Sequence, residues 1–407
     1  MVNYLPPLIG VIGKTNVGKS TFFSAATMTT VEISNRPFTT IKPNHGIGYV
    51  KITCPHLDFG LEACNPRTGY CQNGNRFVPI ELLDVAGLIP GAHMGRGLGN
   101  KFMDDLRKAD AFILVIDASG STNEEGNPVP PGTYDPIEEV KQIINEVDLW
   151  LAKIVSSDWQ KFSVSVETSR KNFVDALYDK ISGLSIKRSH VIEVLERIDL
   201  TNKRPSNWKE EDFYIFAKEL RKTAKPHIIA ANKADLPTAY ENIERLKKEF
   251  PEVPVVPVSS ESELALRKAA KMNLIDYIPG DSIFFIKENV KLTPQQEVAL
   301  KYIEEKVLKR YGSTGVQKVI NSIIYDVLKK VVVFPVEDIN KLTDKNGNIL
   351  PDALIVDHEA SPKVVAGLIH TELEKGFQYA IDARTKQKMG EGSRVYDRLV
   401  FKIVSTI

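Results

Sequence analysis

Cysteine is scarce: the chain has three in 407 residues, too few for a disulfide scaffold, and a reducing cytoplasm is the expected compartment. An excess of one charge is also missing. Lysine and arginine number 53 against 52 aspartates and glutamates, for a formal net charge of +1. Global basicity is thereby excluded, and any nucleic-acid contact has to come from a local patch. No apolar run approaches the ~20 residues needed to span a bilayer. The first residues, Met1 to Pro7, carry neither a basic segment nor a long apolar core, so no signal peptide is expected there. What is present, 43% hydrophobic and 26% charged residues, is the balance of a folded protein. The length suggests roughly two to three domains.

Short apolar runs bounded by Asp, Gly, Pro or Asn predict strands at Leu8–Ile12, Gly46–Ile52, Val78–Leu83, Ala111–Asp117, His227–Ala231 and Val253–Val258. Helical patterns separate them. The expected fold is therefore α/β, a mostly parallel sheet with helices on both faces. The gap between residues 117 and 227 is too long for one crossover. Ile137, Val140, Ile143, Ile144, Val147 and Leu151 recur at helical spacing, as do Phe173, Leu177, Ile181 and Leu184, so 136–222 reads as a helical insertion. The Gly-, Pro- and Ser-rich stretch Ser119–Pro136 reads as a mobile connector. Residues 261–330 read as helical again. The tail, 331–407, has a ββαββ-like order and reads as a small α+β domain. The expected division is 1–135 with 223–330, then 136–222, then 331–407.

Gly13-Lys14-Thr15-Asn16-Val17-Gly18-Lys19-Ser20 fits G-x-x-x-x-G-K-[ST] between a predicted strand and a predicted helix. In that context the glycines let backbone N–H groups close around phosphate oxygens at a helix N-terminus. Asn16 to Thr21 are the expected phosphate-binding residues, Lys19 neutralises β- and γ-phosphates, and the Ser20 hydroxyl ligates Mg²⁺. Asp84-Val85-Ala86-Gly87 ends a strand predicted beside the first. Asp84 can hold magnesium through water and Gly87 can offer its N–H to the γ-phosphate. Asn232-Lys233-Ala234-Asp235 ends another strand. A carboxylate there accepts from guanine N1–H and its 2-amine, where adenine offers an acceptor and no amine. The alternative for Asp235 is a helix cap. Ser259-Ser260-Glu261 either supports the base or simply caps a helix.

These motifs, in this order and each at a strand end, resemble the translation-factor-related P-loop GTPases. More narrowly they resemble the Obg-like (Obg/YchF-type) family and its archaeal branch. The narrower resemblance rests on Phe38-Thr39-Thr40-Ile41-Lys42-Pro43-Asn44, Asp84 to Ala92, and Gly95-Arg96-Gly97-Leu98-Gly99-Asn100-Lys101-Phe102. The tail resembles a TGS domain, a small ubiquitin-like module of that family. The resemblance implies a GTPase of the cytoplasm acting as a ribosome- or RNA-linked switch. It implies that Thr40, with Thr39 as the fallback, closes on Mg²⁺ and the γ-phosphate, and that residues 87–103 form the second switch. It offers Asn16 as a helper for an activating K⁺, the alternative being an asparagine that only shapes the turn.

Leu88 stands where Ras-like enzymes carry a water-orienting glutamine, so unaided hydrolysis should be slow. This keeps open a nucleotide-gated binding module with negligible hydrolysis. An ATP-using YchF-like member is the other alternative, against which Asp235 speaks, because that branch carries Glu there. A metabolic P-loop kinase is the remaining rival and would not need Asn232–Asp235. Lys14 reads as a solvated charge. Cys54, His56, Cys64 and Cys71 leave three states open: a zinc site without a standard spacing, a Cys64–Cys71 disulfide, or free thiols. Lys187-Arg188, Lys203-Arg204, Arg384, Lys386 and Lys388 read as solvated faces or a local RNA contact. Trp159 and Trp208 read as packing residues or base-stacking ones. Oligomeric state is not readable from the sequence.

Overall fold

The computed structural model describes residues 4–28, 44–85, 87, 91, 105–169 and 171–406. The apolar runs form β1 (Leu8–Ile12), β2 (His45–Thr53), β3 (Tyr70–Gln72), β4 (Asn75–Asp84), β5 (Ala111–Asp117), β6 (His227–Asn232) and β7 (Val255–Pro257). They build one sheet in the order β2-β4-β1-β5-β6-β7, with β3 pairing β4. β4, β1, β5, β6 and β7 are parallel. β2 departs from the expected parallel set and runs antiparallel to β4 at the edge. Strand order reverses around β1, which opens a crevice at the carboxyl ends of the central strands.

The central strands are apolar without alternation because both faces are covered. On one face Ile12, Leu114 and Ile116 pack with Val140, Val147 and Leu151 of the helix Pro136–Ser156 and with Phe216 and Leu220 of the helix Glu210–Ala224. The segment read as an insertion therefore shares its core with the sheet. Asp135 caps its first helix by accepting from the Ile137 N–H at 3.0 Å, with Pro136 in the first turn. On the other face Ile9, Val11 and Val115 pack with Phe22 of the helix Lys19–Thr27 and with Val316 and Ile320 of the helix Val316–Ser322. The stretch 261–330 is not helical throughout: Ile275–Asp276 (β8) and Phe285–Ile286 (β9) form a two-stranded ribbon within it. That ribbon buries Ile275 and Tyr277 with Leu266 and Ile303, a tertiary use that periodicity does not signal.

The C-terminal sheet has the order β11-β10-β14-β12-β13. Its strands are β10 (Lys330–Pro335), β11 (Leu354–Asp357), β12 (Phe377–Asp382), β13 (Lys388–Met389) and β14 (Leu399–Ser405). Both faces of this sheet are buried as well. Val333, Leu354 and Phe401 pack under the helix Pro362–Ile369, while Val332, Phe334 and Val400 join the core of the larger sheet. Alternate side chains of Val332-Val333-Phe334 thus serve two different cores. No helix among the described residues is long and apolar enough to cross a membrane.

Candidate nucleotide site

Strand ends bring the separated motifs together. The loop 13–18 leaves β1 and runs into the helix Lys19–Thr27, whose N-cap, Gly18, is left-handed at φ 93°. A Cβ there would sit 2.2 Å from Asn232 Nδ2, so only glycine fits. The Asn232 amide donates to the Val17 carbonyl at 2.8 Å, and its Oδ1 accepts from the Ser260 N–H at 3.1 Å. Asn232 therefore ties the phosphate loop to the start of the helix Ser260–Lys271. The Ser260 N–H, expected to support a base, is taken by that bond.

Lys19 Nζ lies 3.0 Å from Asp84 Oδ1, and Ser20 Oγ lies 3.4 Å from Asp84 Oδ2. Register places Asp84 opposite Val11 on β1, directly beside the loop. Gly87 stands against the same loop, where a Cβ would come within 2.8 Å of Thr15 Cγ2. A hydroxyl and a carboxylate side by side make a hard-oxygen donor set, which suits Mg²⁺. Thr39, Thr40, Leu88 and most of 88–104 lie outside the described residues.

At the Asn232–Asp235 corner, Ser259 Oγ donates to Asp235 Oδ1 at 2.8 Å and the Tyr302 hydroxyl to Asp235 Oδ2 at 3.2 Å. The Ala234 N–H is bonded to the Val258 carbonyl at 3.0 Å. Asp235 is thereby held by side chains from two elements. That is a positioned carboxylate rather than a helix cap.

Sequence reasoning missed Asp117. It sits at the end of β5, opposite Asn232, fully buried. Lys233 donates to it at 2.8 Å, as do the hydroxyls of Ser119, Ser121 and Thr122 at 2.6, 2.8 and 3.0 Å. Burial pushes the Asp117 carboxyl up, but the bonds from Lys233 and Ser119 outweigh it and hold the carboxyl below its ordinary value. The readable signal was an Asp followed by Ser, Ser and Thr at positions +2, +4 and +5.

Two expectations are corrected here. Ser119–Pro136 is no loose connector. It folds on itself, with Gly132 N–H to the Ser119 carbonyl and Val129 N–H to the Ser121 carbonyl, and it clasps the phosphate loop. Thr15 Oγ1 donates to the Glu125 carbonyl at 3.1 Å, and Asn16 Nδ2 to the Gly126 carbonyl at 2.9 Å. With φ at 61°, Asn16 shapes the turn. Lys14 is not solvated. It is 4% exposed, donates to the Thr122 carbonyl at 2.9 Å, and pairs with buried Glu139 at 2.9 Å beneath the Tyr134 ring. Burial pushes the Glu139 carboxyl up to about 7 against the pull of Lys14.

Comparison with known proteins gives this arrangement its context. Residues 8–156 match the family model described as 50S ribosome-binding GTPase. Residues 230–338 match that of the Obg-like GTPase YGR210-like, G4 motif-containing domain. A GTP-binding protein of Methanocaldococcus jannaschii is 49% identical over 98% of this chain and 99% of its own. The chain belongs to the Obg-like, YchF-type family of GTP-binding proteins. Another family member, the ribosome-binding ATPase YchF of Bacillus subtilis, is 31% identical over 63% of this chain and 66% of its own. The crystal structure of a GTP-binding protein from Pyrococcus horikoshii superposes with a TM-score of 0.79 at 37% identity, covering 98% of this chain and 99% of that one.

Other sequence candidates lie elsewhere in this family fold. Trp159 and Trp208 are buried and stacked on one another at 4.9 Å, with the Trp159 indole donating to the Pro205 carbonyl. They are packing residues. Lys187 pairs with Asp357, Lys203 with Asp212 and Arg384 with Asp58, while Lys388 lies 4.4 Å from the Tyr379 ring centroid. Cys54, His56, Cys64 and Cys71 converge, with no disulfide among them. The hydrogen bond from Cys54 holds the Cys64 thiol below its ordinary value, while the bond to Cys64 pushes Cys54 up to about 11.

Proposed function

We propose that this protein binds GTP and hydrolyses it to GDP and phosphate as a nucleotide-dependent switch. The observation that carries the reading is the meeting of the phosphate loop, Asp84 and the Asn232–Asp235 corner at the carboxyl ends of the central strands, in a chain of this family. GTP would lie with its phosphates along residues 13–21 and its guanine against Asp235, with Ser259 and Lys233 holding that corner. Mg²⁺ would be held by the Ser20 and Thr40 hydroxyls and, through water, by Asp84; when bound, it supplies charge neutralisation between the β- and γ-phosphates. Lys19 exchanges its bond to Asp84 for phosphate oxygens, placing its charge where negative charge develops. The Gly87 N–H reads the γ-phosphate, and water attacks the γ-phosphorus as GDP leaves. Asn16 Oδ1 is the protein atom offered to K⁺.

The family context supports a cytoplasmic role at the ribosome or on RNA, with the C-terminal sheet acting as a TGS-like module and the 136–222 helices as the second lever. Leu88 favours one second reading, a nucleotide-gated binding module with little hydrolysis of its own. The deciding experiment compares GTP and ATP hydrolysis in potassium and in sodium, with and without ribosomes. GTP preference with potassium or ribosome stimulation is expected. ATP preference would overturn the role of Asp235, and absence of turnover in every condition would leave the binding module.

A further inference from the structure

We propose that Cys54, His56, Cys64 and Cys71 form a structural zinc site that rivets the loop between β2 and β3 beneath the C-terminal sheet. The four side chains come from distinct local structures: the end of β2, the helical turn Pro55–Asp58, the irregular loop 61–69, and β3. Their donor atoms nevertheless lie within 4.8 Å of one another. Cys54 Sγ and Cys64 Sγ are 3.7 Å apart, and Cys71 Sγ and His56 Nδ1 are 3.9 Å apart. Two sulfurs bound at about 2.3 Å on a tetrahedral ion stand about 3.8 Å from each other, and a sulfur and a nitrogen slightly closer. The Cys54–Cys64 pair thus already has the spacing of a Cys₃His zinc shell, and the other donor atoms, all within 4.8 Å of one another, need only a modest inward shift.

Arg76 supplies an independent argument. It is fully buried, yet its hydrogen-bond acceptors are the Thr68 and Pro351 carbonyls and the Cys64 sulfur at 3.8 Å, none of them a carboxylate. An isolated buried guanidinium is costly. Three thiolates around Zn²⁺ leave a net charge of −1, and Nη1 of Arg76 touches that shell. The zinc centre and the arginine neutralise each other. With four protein ligands the site has no open position, so its role is structural.

What it would hold in place is visible in the loop. The Asn65 and Arg67 N–H groups donate to the Ile349 and Pro351 carbonyls, each at 2.8 Å. The Arg67 guanidinium pairs with Asp352. This loop is the strap between the two sheets, and much of its backbone is irregular. A metal that crosslinks residues 54, 56, 64 and 71 reduces the freedom it would otherwise have.

The test uses the full chain purified without chelator. Metal analysis should find about one zinc per chain, and X-ray absorption at the zinc edge should show three sulfurs near 2.3 Å and one nitrogen. Cobalt exchanged into the chain should give the visible bands of a tetrahedral thiolate site. Cys64→Ser should lose most of the zinc, with GTP binding confirming that the variant is folded. Should that variant not fold, the absorption and cobalt spectra of the unaltered chain decide alone. Chelation should speed amide exchange at 61–69 and 349–353. Zinc far below stoichiometry with three titratable thiols, or a mass two hydrogens lighter from a disulfide, would overturn the proposal.

Discussion

Lys19 and Asp84 are each other's partner at 3.0 Å, and in the proposed function both are needed elsewhere once nucleotide is bound. Charge-assisted bonds contribute about 1.5–3 kcal/mol each, so Lys19→Ala should weaken GTP binding by about a hundredfold or more. Equilibrium titration with a fluorescent GTP analogue reads this, and unchanged affinity would sink the phosphate-loop assignment. Asp235 makes a more selective prediction. Asparagine keeps the size but swaps one acceptor for a donor, which mismatches the guanine 2-amine and matches the carbonyl that xanthine carries there. Asp235→Asn should therefore bind GTP about a hundredfold more weakly and gain XTP. A metabolic kinase reading predicts no such exchange. Ser259 and Tyr302, which hold this carboxylate, show how the residue scale already depends on distant chain.

At the scale of elements, β6 begins with His227, partly buried beside Arg221, which itself pairs with Asp148. Burial pushes His227 down to about 3. Between about pH 6.5 and 3 the unfolded chain takes up a proton here that the folded chain does not. Stability from this group is therefore complete above pH 6.5 and falls by about 1.4 kcal/mol per pH unit below it. Denaturant melts across that range should show the slope, and His227→Asn should flatten it. The aromatic cluster of the 136–222 segment is a second element-level case. Trp208 contacts Trp159, Phe173, Phe213 and Phe216. Trp208→Ala should cost about 3–5 kcal/mol by cavity formation. A base-stacking role would instead leave the melting midpoint in place and lower RNA affinity.

At the scale of the molecule, two sheets are joined by one apolar layer and a rim of ion pairs. Asp58 meets Arg384 and Arg398, Arg67 meets Asp352, and Lys187 reaches Asp357 from the helical segment. Exposed pairs contribute little, but Asp352 is mostly buried, so losing Arg67 leaves that carboxylate without the guanidinium that donates to both its oxygens. Arg67→Ala should loosen the junction by about 1–2 kcal/mol. Hydrogen exchange should rise at 349–353 and 65–68 while β1 and β5 stay protected. Equal deprotection throughout would mean that the sheets unfold as one unit.

The placement of the 13–20 loop, Asp84 and Asn232–Asp235 at strand ends and the central apolar strands were legible in the sequence, because tight turns and burial on both sheet faces restrict residue type locally. Lys14 was misread, because a lysine in a loop looks solvated until Glu139, 125 positions later, is folded over it. Asp117 had a local signal in Ser119, Ser121 and Thr122, but its pairing with Lys233 joins residues far apart in the chain. The antiparallel edge strand β2, the β8–β9 ribbon and the clasp of residues 119–135 likewise depend on partners distant in sequence. Four residues from 54 to 71 state no familiar metal spacing, and only the packing of β2, the loop and β3 brings their sulfurs and imidazole together. Local chemistry thus determined the motifs, while tertiary structure decided every contact whose two halves the chain keeps apart.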